Sequence, residues 1–486
     1  MTISAKISAL EQKFEDALLV ITKQAITIAE QAAIIREQAV VNGEQAVVIA
    51  SQAEKIRSLE VALRLQSVVK TSKNSHLSPS SDLSRKNQSL REKSDKPVGG
   101  QLGHEGHTLE MRHNPDEIKA LYPSFCNNCG ASLLERPSEL VARRQVIDIP
   151  PIIPVTTEYQ CFSTTCTCGH HQKADFPNGV TNHIQYGPNI QTLVVYNSVY
   201  QCLPFYRLQS FLKQVASVHL SKGTIENILR RTADKAQTTY ETLRKVVEVS
   251  LYVGADETGA KLNKSKLWFW VWQNALVTFI VAACSRSKQV IEDTFPQGLP
   301  NAILCSDRLA AQLSTWTKGT QICLAHLLRD LNYLIDTEKT QWAIDFKGVL
   351  KDAMLLKKQQ THYDKNDPKV IEIEQRVDKL LKQSFEELGW TIEEQHKTMT
   401  FFKAMLKLRH ALFPFLYHKE VPPDNNSSER AIRIIKVKTK ISGQFKSLHQ
   451  EFAILRSVID TAVKNGKSVY EAVEAMVNMT NTKTAG

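Results

Sequence analysis

The sequence predicts a multidomain α+β protein, and three observations lead there. A seven-residue repeat fills the N-terminal part, a cysteine cluster follows a serine- and glycine-rich stretch, and strand-like and helical segments alternate through the second half. At 486 residues the chain has room for about three domains. Its 42% hydrophobic content supports a sizeable core, and its formal net charge of +11 points to an anionic partner, nucleic acid or an acidic membrane surface. No apolar run approaches the roughly 18–20 residues of a membrane span. The start of the chain lacks the charged opening and continuous apolar core of a signal peptide. A cytoplasmic protein without a membrane partner is expected.

Residues 1–70 carry the repeat. Gln-Ala recurs at Gln24, Gln31, Gln38, Gln45 and Gln52. In that frame Ile21, Ile28, Ile35, Ile49, Ile56 and Leu63 share one heptad position, and Ala25, Ala32, Ala39, Ala46 and Ala53 fill its partner. Asn42 interrupts the first stripe. Sustained heptads predict a coiled-coil oligomerisation helix, in which one buried Asn fixes register and strand number. A homodimer or higher homo-oligomer follows; the competing arrangement is a long helix folded onto the protein's own core. Residues 71–118 are rich in Ser, Gly and Pro with scattered Lys and Arg. They predict a basic flexible linker, one able to order along DNA phosphates.

Nine cysteines is an odd number for a disulfide framework, and five of them crowd between Cys126 and Cys168. That clustering suggests a metal in a reducing compartment. Residues 119–180 are therefore expected to form a zinc-binding β region. Cys126 and Cys129 make a CxxC knuckle, Cys166 and Cys168 a CxC one. The intervening stretch Val141–Gln160 predicts paired strands around a proline turn. Four protein ligands to a tetrahedral Zn²⁺ leave no open position, so the role would be structural. Because the second knuckle is CxC, Cys161 and the pair His170-His171 compete as ligands.

Residues 181–245 predict a helical region. Two short amphipathic helices flank Ala216–Ser221, a pattern shared by helix-turn-helix DNA-binding units and by plain helix pairs. Residues 246–330 then supply three strand-like segments joined by short turns, followed by a helix, a short buried strand ending at Asp307, and a strand running into a helix. Three antiparallel strands followed by alternating helix and strand is the order of a ribonuclease-H-like α/β domain. On that layout Asp256 lies inside an apolar strand and Asp307 at the end of another. A charged residue there is costly unless paired or metal-bound; either alone could also cap a turn. Glu429 opens the first turn of a helix after Pro422-Pro423, with Asp424, Asn425 and Asn426 offering caps and Ser427-Ser428 the first helical residues. Arg430, Arg433, Lys436, Lys438 and Lys440 form a basic face on that helix, suited to phosphates.

From about Lys70 onward the chain resembles transposases of the insertion sequence 66 family. The resemblance rests on KTSKNSHLSPSSD, KPVGGQLGHEGHTL, the cysteine region, LPFYR, GADETG, LCSDRLAAQ, CLAHLLRDL and DNNSSERAIR, in that order. It implies a DDE-type catalytic domain whose metal-binding acids are Asp256, Asp307 and Glu429. These would hold two Mg²⁺ ions, which Mn²⁺ can replace, for DNA cleavage and strand transfer. It also implies a helical insertion between the second and third acids, which residues 331–420 would supply, with the final core helix and C-terminal helices in 421–486. An N-terminal zipper and a zinc region are family-like too; the CxC knuckle departs from expectation and leaves the zinc ligand set open. The implied partners are the element's terminal inverted repeats, target DNA and accessory proteins from the same element, in a bacterial, nucleoid-associated setting. Glu257, His326 and Arg329 are candidates for supporting contacts to the acids or to DNA. Two other functions fit the same residues: a catalytically silent DNA-binding derivative, and a structure-selective nuclease that needs no terminal repeats.

Overall fold

The computed structural model describes residues 3–67, 74, 103, 105, 109–385, 387–388 and 397–480. Most of the expected linker over 71–118, and 389–396 of the expected insertion, lie outside the described residues.

Helix α1 runs unbroken over Ile3–Ser67. Its apolar stripe is on the surface: Ile21, Ile28, Ile35, Ile49, Ile56 and Leu63 are each more than half exposed. The repeat therefore does not fold its apolar positions into a core of this chain. One window within Lys6–Glu60 reaches a mean hydropathy of 1.4, long and apolar enough by composition to cross a membrane. This qualifies the expectation that no span-length apolar run exists. The glutamine at every seventh position would have to be desolvated in a bilayer at considerable cost, which favours a helix in water.

The strands expected across Val141–Gln160 do not form; residues 137–162 carry no helix, strand or turn. Pro150, Pro151 and Pro154 bring no N–H to a ladder. Val141, Val146 and Val155 are about nine-tenths exposed, so no buried face rewards pairing. Regular structure resumes with β1 (Ser163–Thr165) and β2 (His171–Lys173), a short antiparallel hairpin. Helix α2 (Pro188–Val195) runs into a π-helical turn, Tyr196–Tyr200. Next come α3 (Phe205–Ala216) and α4 (Lys222–Glu248), where the Ser221 hydroxyl accepts the Thr224 N–H at 3.0 Å to cap α4.

Strands β3 (Tyr252–Leu262), β4 (Ser265–Gln273) and β5 (Thr278–Ala283) follow in an antiparallel meander. Asn263 and Lys264, at φ 47° and 70°, make the tight two-residue turn that such a hairpin requires. Then the order alternates: α5 (Lys288–Thr294), β6 (Leu299–Ser306), α6 (Ala310–Leu313), β7 (Thr317–Ile322) and α7 (Leu324–Glu338). The strand order is β5-β4-β3-β6-β7, with β3, β6 and β7 parallel. The region expected to be a helical insertion holds α8 (Gln341–Gln359), α9 (Pro368–Lys382), α10 (Lys397–Lys407) and α11 (Pro414–Tyr417). Helices α12 (Asn426–Ser442), α13 (His449–Lys464) and α14 (Val469–Asn478) complete the described chain.

The residues group into two compact units, divided inside β3 after Ala255. The first takes in α1, Val249–Ala255 and Ile291–Asn426. Its core sets Ile303 and Cys305 of β6 and Leu327, Leu331 and Leu334 of α7 among aromatic residues of α8 and α10. Trp342 and Phe346 stack at 4.8 Å there. Gln321, fully buried on β7, accepts the Phe415 N–H at 3.0 Å and donates to the Leu412 carbonyl at 3.2 Å. Those bonds fasten the chain returning from the helical stretch to the sheet. The second unit takes in Ser84–Glu248, Asp256–Val290 and Ser427–Gly486. Its core joins Leu208 and Leu212 of α3, Ile225 and Ile228 of α4, Phe269 and Val271 of β4, Ile432 and Ile435 of α12, and Phe452 and Leu455 of α13.

Candidate active site

Asp307 belongs to the first unit; Asp256 and Glu429 belong to the second. The parallel β3–β6 ladder ends at the pair Gly254–Cys305, and Asp256 and Asp307 each follow that pair by two residues. Asp307 emerges from the buried run Ala302–Ser306, and its Oδ1 is itself buried without a hydrogen-bond partner among the described residues. A buried carboxylate oxygen left that way demands a cation or a proton. The next residue, Arg308, takes a left-handed backbone at φ 76°, a conformation that costs a non-glycine residue roughly 1–3 kcal/mol. Its guanidinium is held by the Asp330 carboxylate of α7 and lies 5.7 Å over the Phe401 ring of α10. His326 of α7 is buried and Arg329 half-buried in the same unit.

The segment leading to α12 is tied into this unit at four points. The Pro423 carbonyl accepts the Leu324 N–H at 2.9 Å, and the Cys305 thiol donates to the Asp424 carbonyl at 3.7 Å. The Asn425 N–H donates to Cys323 Sγ at 3.2 Å, and its side-chain amide to the Ala255 carbonyl at 2.6 Å. Asp424 caps the helix, its Oδ1 accepting the Asn426 N–H at 3.0 Å. Helix α12 thus opens at Asn426, one residue before the expected Ser427.

In the second unit Asp256 is half-buried on β3, and its Oδ1 accepts the Glu257 N–H at 2.8 Å. The Glu257 carboxylate, only 2% exposed, is ion-paired with Arg286, whose guanidinium stacks 5.1 Å over Trp268. Glu429 is half-buried in the first turn of α12. Its neighbour Ser428 is fully buried and accepts the Gln273 amide N–H at 3.1 Å. The Lys464 ammonium donates to Gln273 Oε1 at 2.7 Å, and to the carbonyls of Asn274 and Val277 at 2.6 and 2.9 Å. An ammonium at Oε1 leaves the amide nitrogen facing Ser428. Burial pulls the Lys464 pKa down to about 8. Neither Gln273 nor Lys464 carries a sequence signal for such a role.

Four of the five basic candidates on α12, Arg430, Arg433, Lys436 and Lys440, are exposed. Lys438 departs from that set: its ammonium donates to the Ser198 carbonyl at 3.1 Å in the π-helical turn, and burial lowers its pKa. Five basic residues spread over three turns of one helix point to more than one face, which the sequence pattern does not resolve.

The cysteines sit in two similar turns. The Cys126 carbonyl accepts the Gly130 N–H at 2.9 Å, and the Cys166 carbonyl accepts the Gly169 N–H at 2.8 Å. Gly130 and Gly169 stand at φ 74° and 87°, where a side chain would be strained. The backbone N–H groups of Cys129 and Asn128 hold the Cys126 thiol below its ordinary pKa, and that of Cys168 does the same for Cys166. Cys161 is engaged elsewhere, donating to the Ala174 carbonyl. Thiolate-favouring turns of this kind suit a soft divalent metal. Among the described residues, however, no three His, Cys, Asp or Glu side chains form a group that could hold a metal ion, at either the thiols or the acids.

No curated protein matches the chain. The family model described as "Transposase IS66 family" matches residues 183–451, more than half of the chain, and takes in α2 to α12, the three acids and the basic helix. The chain belongs to the IS66 family of transposases.

Proposed function

We propose that this chain is an active DDE-type transposase that binds the terminal inverted repeats of its element, cuts there, and joins the freed end to target DNA. The observation that carries this reading is the buried Asp307 oxygen without a hydrogen-bond partner among the described residues, at the end of a parallel strand in a chain of this family. The strand order, a three-stranded meander with two parallel strands added beside β3, supports a ribonuclease-H-like core. Asp256, Asp307 and Glu429 would hold the Mg²⁺ ions, whose chemistry is to activate an attacking oxygen and stabilise the departing one. Attack of water on phosphorus breaks the P–O3′ bond and leaves a 3′-hydroxyl and a 5′-phosphate; that 3′-oxygen, losing its proton, then attacks a target phosphorus, and the new P–O bond forms as the target's own P–O3′ bond breaks and its 3′-hydroxyl leaves. Arg430, Arg433, Lys436 and Lys440 would neutralise phosphates along α12, and helix pair α3–α4 is a candidate for reading the repeat. Cys126, Cys129, Cys166 and Cys168 would hold a structural Zn²⁺ between their two turns, and α1 would pair two chains so that two element ends are held together.

The test is cleavage of DNA carrying the element's terminal repeat, with and without Mg²⁺. Asp256→Ala, Asp307→Asn and Glu429→Ala should each lower the rate by about 10²–10³ or more, while end binding in a gel-shift assay persists. Full activity in any of the three would reject the assignment.

A further inference from the structure

The outward face of the β3–β4 hairpin carries side chains that no step of the proposed reaction uses, and all of them lie in the second unit. Successive side chains of a strand point to opposite faces of its sheet. Ala260 and Leu262 of β3 pack into that unit's core with Leu267, Phe269 and Val271 of β4. Glu257, Gly259 and Lys261 of β3 therefore share the other face with Lys266 and Trp268 of β4. Trp268 lies across Gly259, where an added β-carbon would sit 3.7 Å from its ring. The Arg286 guanidinium, beyond the end of β5, stacks on the same indole at 5.1 Å. Its Nε donates to Glu257 Oε1 at 2.9 Å, and its Nη2 donates to the same oxygen.

The two members of this ion pair are unequal. The Glu257 side chain is 2% exposed and the Arg286 side chain 45%, so the carboxylate is the anchor and the guanidinium the group presented to solvent. Carboxylate and ring together fix the guanidinium, and its Nη1 has no hydrogen-bond partner among the described residues. An arginine held this way has already given up the side-chain freedom that binding would otherwise cost, and its open edge matches the oxygens of a phosphodiester. Lys261 and Lys266 are exposed on the same face, and Lys264 is exposed in the turn. From Thr258 to Val290 the sequence contains no acid. A cationic face with one aromatic ring and no exposed carboxylate fits a nucleic-acid backbone.

We propose that this face is a second DNA-contact surface, on the side of the hairpin opposite the core that α12 helps to form, where Arg286 binds a backbone phosphate and Lys261 and Lys266 neutralise others. The inference rests on the proposed function only in taking DNA as the partner; it needs none of the three acids.

The experiment measures binding of the full chain to a duplex carrying the element's terminal repeat, by fluorescence anisotropy over a salt series without divalent metal. Glu257→Gln combined with Arg286→Gln leaves no unpaired charge in the buried site and keeps the net charge of the chain, so a changed slope reports a lost contact. This double variant should flatten the plot of log affinity against log salt by about 0.9, the step for one phosphate no longer neutralised. Glu257→Gln alone retains the guanidinium and should keep the wild-type slope. Lys261→Gln combined with Lys266→Gln should flatten the plot by about 1.8, two such steps; these exposed positions decide the matter if the first double variant does not fold. A wild-type slope in either double variant that folds, while Arg433→Gln still flattens the plot, would overturn the inference. A wild-type chain that does not bind the duplex would instead overturn the DNA-binding reading beneath it.

Discussion

Lys464 holds a charge where the surrounding fold makes holding it costly. Lys464 gives its three N–H bonds to Gln273, Asn274 and Val277, so the ammonium is saturated but largely cut off from water. Its folded pKa of about 8 lies below the unfolded lysine value. Between roughly pH 8 and 10.4 the unfolded chain therefore binds the extra proton, and the linkage makes this residue's contribution to stability rise with pH across that window. Lys464→Met should lower stability at pH 7 by about 1–3 kcal/mol, because three acceptors lose their donor. Urea midpoints of wild type and variant taken at pH 7, 8.5 and 10 should then diverge further as pH rises; convergence would contradict the buried-ammonium assignment. None of this is legible in the sequence, because a lysine in TAVKNGKS reads as an ordinary C-terminal helix cation. The acids are different. An aspartate in VGADETG or AILCSDR stands out because its neighbours are apolar, and the sequence pattern locates both at the ends of buried runs. Asn425 reads as one of three caps, since composition does not say which of Asp424, Asn425 and Asn426 turns inward.

At the scale of elements, periodicity and turn chemistry do most of the locating. The meander of β3, β4 and β5 follows from aromatic and β-branched runs separated by Asn-Lys and Asn-Ala turns, and α1 from its sevenfold repeat. The stretch around Pro150 misleads, because alternating Val and Ile there lack any buried face and a ladder cannot close through three prolines. Helix α12 shows where pattern stops: its positive charges are evident in sequence, but their facing depends on packing. Ile432 and Ile435 anchor the buried side, and Lys438 falls close enough to that side to reach the Ser198 carbonyl. The two classes of lysine should separate experimentally. Removing charge at Arg433 or Lys436 should weaken binding to any DNA and flatten the plot of log affinity against log salt by about 0.9 for each phosphate no longer neutralised. Lys438→Met should leave that slope unchanged and lower the melting temperature instead, as expected when a buried carbonyl loses its donor. A slope change for Lys438→Met matching that of Lys436 would show that the whole helix face meets DNA.

For the whole molecule, the largest unexplained surface is α1. Its 65 residues, at about 1.5 Å per residue, make a rod near 100 Å long. A stripe of six branched residues on one heptad position lies exposed along it, more contiguous apolar surface than a monomer in water ordinarily carries. Pairing with a second copy removes that surface from water and places Asn42 against its counterpart, where a polar residue costs stability but permits one register. Sedimentation equilibrium of the full chain should therefore give a dimer or higher oligomer at micromolar concentration, and removal of residues 1–67 a monomer that keeps both compact units folded. Asn42→Ile should raise the melting temperature of the oligomer while broadening its distribution of masses, because the register constraint has been exchanged for apolar packing. A full chain that sediments as a monomer would mean that the stripe is covered by another protein, and the pairing of element ends would then have to come from DNA binding by the two units rather than from this rod.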